Sequence, residues 1–374
     1  GLVYLLFFLS GAAALVYQVV WVRSLTLVFG GSHLAVTAVL SIFMAGLAIG
    51  GYAVGRYVDH VARPLRLYGL LELGIAASAL VFGGLMKIYP SIYAGLAQGR
   101  DDAPLYLTLV RMLFSVVALI VPTVLMGGTL PVLSRFVSRQ PERLRSHLSF
   151  LYGFNTLGAV VGALLAGFVF LRLYAVSTTL YLAVATNALI GLVSLALQER
   201  GAGAFSAEER EPSAPAAEAA PIGPLPFRLV LWGIGVSGFC ALGYEVLWTR
   251  VLTIAIGASV YGFTIILVAF LTGIALGSKA YGVLVRAFSA TVPDARRVVA
   301  WFGAVQIVIG VTALVVTMYL RDVPANAIRL HPNDGELFND LGYCFFLQGK
   351  LDKAEAATQK AVAALASPAP KRSL

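Results

Sequence analysis

Residues 10–55 read SGAAALVYQVVWVRSLTLVFGGSHLAVTAVLSIFMAGLAIGGYAVG, and residues 237–282 read SGFCALGYEVLWTRVLTIAIGASVYGFTIILVAFLTGIALGSKAYG. The two stretches align without a gap at a shift of 227 positions, with 20 of 46 pairs identical. The identities include Tyr17/Tyr244, Trp21/Trp248, Arg23/Arg250, Ser32/Ser259, Gly46/Gly273 and Gly50/Gly277. Apolar composition alone would match Leu and Val, but not a Tyr-x-x-x-Trp-x-Arg frame in register. A repeat of this length decides the architecture before any local reading does.

The whole chain has 374 residues, 59% hydrophobic and 12% charged. An ordinary globular chain carries about 25% charged residues. Several apolar runs reach the roughly 20 residues that cross a bilayer as a helix. The expectation is an all-α, polytopic membrane protein with the lipid bilayer as its first partner. The net charge of +9 resides in segments between apolar runs, so it reads as topology and not as a nucleic-acid interface. The two cysteines, Cys240 and Cys344, form no Cys-x-x-Cys, and the four histidines are scattered. No metal and no cofactor is expected. The chain opens at Gly1 inside an apolar run, which suggests that the true N-terminus lies upstream.

Nine candidate spans are predicted, at about 3–22, 34–55, 67–90, 105–126, 149–171, 176–197, 228–248, 260–284 and 299–320. The first membrane half is 1–197 and the second is 228–321, joined by an Ala-, Pro-, Glu- and Ser-rich linker over 198–227. Arg56, Arg63 and Arg66, then Arg135, Arg139, Arg143 and Arg145, then Arg200, Arg210 and Arg228, then Arg286, Arg296 and Arg297 fall in alternate loops. That bias predicts a cytoplasmic N-terminus. Ser134 to His147 form a basic amphipathic stretch suited to anionic headgroups or a docked partner.

The repeat extends into the third spans, where Tyr68-Gly-Leu-Leu-Glu72 parallels Phe302-Gly-Ala-Val-Gln306. The copies lie six spans apart, so they run in the same sense. This is a parallel repeat of two halves, the relation between the halves of a major facilitator transporter. The tail, 322–374, changes character. Phe338, Leu341, Gly342, Phe345, Ala354 and Ala361 occupy the packing positions of a tetratricopeptide repeat, with Thr358 standing where a bulkier residue is usual. A half-bundle meeting a partial repeat near Arg321–Pro324 is awkward, and residues are expected to be missing at that junction.

The chain resembles the membrane part of the bacterial fused facilitator/spermidine-synthase-like proteins. The motifs that carry the resemblance are Ser-Gly-x-x-Ala-Leu-x-Tyr-x-x-x-Trp-x-Arg in both copies, Pro122…Gly127-Gly128-Thr129-Leu130-Pro131, and Tyr152-Gly-Phe-Asn155-Thr-Leu-Gly158-x-x-x-Gly162. It covers about residues 1–320 and implies facilitator-like halves in a bacterial inner membrane. Family members often carry an aminopropyltransferase-like domain after the spans. Its Gly-rich nucleotide turn is absent here, a tetratricopeptide-like tail stands in its place, and polyamine synthesis is not carried over.

A charged side chain at a span centre costs about 2.5–3.5 kcal/mol on insertion scales, so ionisable and polar groups inside the spans are functional candidates. Tyr17, Gln18, Trp21 and Arg23, with Tyr244, Glu245, Trp248 and Arg250, read either as interfacial anchors with snorkelling arginines or as two copies converging on one site. Gln18 against Glu245 makes such a site asymmetric. Glu72 and Arg111 are expected to pair across adjacent helices. Asn155, Asn187 and Gln306 are expected to hydrogen-bond between helices, and Gly46, Gly50, Gly158, Gly162, Gly273 and Gly277 to let helices approach closely. No catalytic triad, carboxylate pair or phosphate loop stands out, so no enzyme is expected. The sequence favours a non-catalytic membrane subunit whose tail binds a partner protein. The alternatives are a transporter of a small polar or cationic solute and an accessory domain of a synthase-like enzyme.

Overall fold

A computed structural model of the chain describes residues 2–30, 32–98, 104–137, 144–199, 224–256, 260–288, 295–320 and 350–366, together with 338, 339, 341, 342 and 345. All its regular structure among these is helical. The helices are α1 (Leu2–Phe29), α2 (Ser32–Tyr57), α3 (Pro64–Ala97), α4 (Pro104–Val137), α5 (Leu144–Leu164), α6 (Leu171–Leu173), α7 (Val176–Glu199), α8 (Pro224–Ile256), α9 (Val260–Phe288), α10 (Ala295–Leu320) and α11 (Leu351–Ala366). A π-helical stretch, Leu165–Phe170, carries α5 into the single turn α6. Among the described residues eight helices are long and apolar enough to cross a membrane. The ninth expected span is helical as α9, and its described apolar part is Gly262–Gly277. These lengths and compositions are compatible with a multi-pass membrane protein.

Two compact units form: Gly1–Pro221 with Thr264–Phe288, and Ile222–Phe263 with Ser289–Leu374. This differs from the division read in the sequence, because most of α9 joins the first unit. The reason is local. Gly167 in the π stretch has no side chain, and Thr264 occupies the space where a Cβ would project.

In the first unit α1 packs along α5, α2 along α4, and α3 along α7, while α3 also meets α4 and α1 meets α7. Exchanging the triplet α1, α2, α3 with α4, α5, α7 returns the same set of pairs. Glycines form both principal seams. A methyl group on Gly158 or Gly162 would overlap the backbone of Phe8 or Ala12, and one on Gly46 or Gly50 would overlap Thr123 or the backbone of Val124. Ala12 and Val124 stand 112 residues apart, as do Gly50 and Gly162. Without a Cβ the backbones come into contact and dispersion acts along the whole seam. These four glycines do what was expected of them. Among the described residues, a Cβ at Gly273 or Gly277 would meet nothing within 4 Å.

The core of the unit gathers Leu6, Phe7, Leu65, Tyr68, Leu133, Leu151 and Ile190. Most of the α1 span window is covered, 72% of it buried, against 6% for the windows in α8 and α10. In the tail, a Cβ on Gly342 would lie 2.8 Å from Thr358 Oγ1 on α11, and Ala354, Ala357 and Ala361 are buried. Lys353 and Lys360 lie over the rings of Phe345 and Phe338. Thr358, the residue out of place in the repeat pattern, is the one that fits against Gly342. The linker residues 200–223 and the junction Arg321–Pro324 lie outside the described residues, as do the side chains of 138–150, so these three expectations gain no structural description.

Candidate functional site

The functional candidates cluster at the third helix of each copy. Glu72 on α3 is fully buried. Ser10 Oγ on α1 donates to its Oε1 at 2.6 Å. Asn187 Nδ2 on α7 donates to its Oε2. Three helices therefore bring one carboxylate and two neutral donors together. Tyr68, one turn earlier on α3, directs its hydroxyl at Glu72, and Asn187 Oδ1 is buried without a partner among the described residues.

The second copy repeats the arrangement. Ser10 corresponds to Ser237 and Glu72 to Gln306. Ser237 Oγ donates to Gln306 Oε1 at 3.0 Å. The aromatic frame repeats too: Tyr17 stacks on Trp21 at 5.5 Å and 15° between planes, and Tyr244 on Trp248 at 5.5 Å and 17°. The acid, however, changes place. The first copy has Gln18 on its first helix and Glu72 on its third; the second has Glu245 on its first and Gln306 on its third. Each copy carries one carboxylate across these two positions. Glu245 is buried, and its Oε2 has no hydrogen-bond partner among the described residues.

Tyr17 and Trp21 are fully buried, and Trp21 packs edgewise on Phe43 and Phe82. They are core residues, which corrects their reading as interfacial anchors. The span was expected to end near residue 22, whereas α1 runs on to Phe29 and carries the aromatic pair into the interior. Gln18 is buried as well, Arg23 is exposed, and Tyr244 and Trp248 are half-buried. The side chain of Arg250 lies outside the described residues.

Glu72 and Arg111 do not pair. Arg111 donates to the carbonyl of Phe29 at 3.4 Å and to the hydroxyl of Tyr93 at 2.5 Å. The carbonyls of the last helical turn lack partners within the helix, and a cation there is favoured. Gly30, at φ +70°, ends α1 by returning its N–H to Thr26, and Arg111 completes that end. Ser10 and Phe29 are 19 residues apart on α1, roughly 28 Å at 1.5 Å per residue. Although α3 and α4 are neighbours, their charges meet α1 at well-separated heights, Glu72 at Ser10 and Arg111 at Phe29.

Asn187 and Gln306 make the interhelical bonds expected of them, and the backbone of Asn155 lies against Gly11. The residue not singled out in advance is Ser10. Its signal was its identity with Ser237 at the head of the repeated stretch. Among the described residues no cluster of three or more His, Cys, Asp or Glu could hold a metal ion. Comparison with family models, with curated proteins and with solved structures found no match to this chain.

Proposed function

We propose that the chain is the membrane part of a carrier for a small polar or cationic solute, built on two facilitator-like halves. The observation that carries this reading is the self-exchange of helix pairs in the first unit. Facilitator halves consist of two three-helix repeats of opposite sense. Two seams built of Gly50 on Val124 and Gly162 on Ala12, each partner displaced by the same 112 residues, are what such a repeat leaves behind. An acid inside each copy supplies the intramembrane charge that a solute or ion pathway uses. The resemblance to the facilitator/spermidine-synthase-like proteins agrees with this reading, which sets the chain in a bacterial inner membrane with its N-terminus in the cytoplasm.

The test is uptake by the purified chain in proteoliposomes, with labelled putrescine and spermidine as first probes. Uptake above empty vesicles, lost in Glu245→Gln, is the expected result. Uptake equal to that of empty vesicles, with either probe and under either gradient orientation, sinks the carrier reading for this solute class.

A second reading has its own observation. The close fit of Gly342 on α11 suits a tetratricopeptide-like hairpin, and repeats of that kind bind partner proteins on a concave face. The chain is then a non-catalytic subunit. A stoichiometric complex from native membranes that survives with the full chain and dissolves when residues 322–374 are removed supports it.

A further inference from the structure

We propose that the junction of α1, α3 and α7 binds one small alkali cation, sodium by size, through oxygens of Glu72, Ser10, Asn187 and Tyr68. The inference begins from an imbalance. Glu72 is a carboxylate at 0% exposure, and its two hydrogen-bond partners, Ser10 and Asn187, are neutral. Arg111, the basic residue expected beside it, serves the far end of α1. A buried ion without a counter-charge is costly, so a carboxylate held in this way calls for a positive species.

The oxygens around it indicate which one. Among the described residues Asn187 Oδ1 is buried without a hydrogen-bond partner, and the buried Tyr68 hydroxyl is directed at Glu72. Buried polar atoms are rarely left so. A half-turn of the Asn187 amide, whose two ends are assigned only from their hydrogen bonds, presents Oδ1 to Glu72. Glu72, Ser10, Asn187 and Tyr68 then offer oxygen ligands from three helices around one point. A single added proton would serve one acceptor; a coordinated cation serves all of them. Oxygen-only ligands select a hard cation. One carboxylate neutralises one charge, which excludes a divalent ion at a site with no second acid. The full burial of Glu72 and near-full burial of Asn187 exclude an organic ammonium group.

The second copy is a natural control. Gln306 replaces the acid, yet the serine bond is kept. Glu72→Gln should therefore fold, and should lose the ion. Binding does not depend on the carrier reading, since a chain that moves no solute would still hold sodium.

The experiment uses the full chain in lipid nanodiscs at fixed pH and ionic strength. Thermal midpoints are compared in NaCl, KCl and choline chloride, and radioactive sodium is counted at equilibrium. The wild type is expected to bind one sodium per chain and to gain stability with the logarithm of sodium concentration. Glu72→Gln abolishes both responses, Glu245→Gln keeps both, and Ser10→Ala raises the half-saturating concentration about tenfold, the scale of losing one supporting group. The Ser10→Ala series decides between these outcomes even if Glu72→Gln proves unstable. A sodium response unchanged in Glu72→Gln or Ser10→Ala overturns the proposal, as does an equal response to NaCl and KCl. A wild-type midpoint that follows pH but no alkali cation overturns it too, and assigns the site to a proton.

Discussion

The two copies of the repeated stretch share their sequence, their aromatic stack and their serine bond, yet they live in different surroundings. In the first, Trp21 has 0% exposure and Glu72 is enclosed by three helices. In the second, Trp248 is half-buried and the Ser237–Gln306 bond is only partly buried. The difference lies in the chain that succeeds each copy. After α3 come α4, α5 and α7, which cover α1 and bring Asn187. After α10 the sequence passes to the polar tail. A three-helix repeat thus specifies its own internal contacts, and a second triplet turns those contacts into a core.

This contrast can be broken or sharpened by paired substitutions, read as thermal or denaturant unfolding in detergent. The largest effect is expected from Trp21→Ala, since truncating a buried aromatic costs about 3–5 kcal/mol; Trp248→Ala, half-buried, should cost about half as much, and equal losses would refute the difference in cover. Next comes Gly162→Leu. A side chain forced against the Ala12 backbone should cost about 3 kcal/mol, near the top of the usual range for overpacking, whereas Gly277→Leu, facing open space, should change stability by less than about 0.5 kcal/mol. Glu72→Ala strands the Ser10 and Asn187 donors and should cost about 2 kcal/mol; Gln306→Ala strands only Ser237 and should cost about 1 kcal/mol or less. The smallest effect is expected at Arg23→Ala. An exposed side chain away from caps and pairs should shift stability by no more than about 0.5 kcal/mol, and a larger loss would restore Arg23 as a site residue.

Much of this was legible in the sequence. The apolar runs located the spans, the shift of 227 exposed the repeat, and the Gly-x-x-x-Gly pairs at 46–50 and 158–162 marked the seams. Gly273 and Gly277 carry the same pattern without a seam among the described residues, because a small-residue motif permits close approach but does not supply the neighbour. The Glu72–Arg111 pairing failed for a related reason. Opposite charges on consecutive spans look complementary in sequence, but pairing depends on height along the bundle, which linear spacing does not reveal. Asn187, 115 residues from Glu72, could not be assigned to it without knowing that α3 lies along α7. The burial of Tyr17 and Trp21 was missed because a Tyr-Trp pair near a span end reads as an anchor until the helix is seen to continue for two more turns.

The bond from Asn187 to Glu72 also has a place in time. The chain emerges from the ribosome at about 5–20 residues per second, so the 115 residues between the two side chains represent roughly 6–23 s of synthesis at that rate. Throughout that interval Ser10 is the only one of the two donors already made. Among the groups that hold Glu72, the last to be synthesised comes from the helix that completes the first triplet exchange.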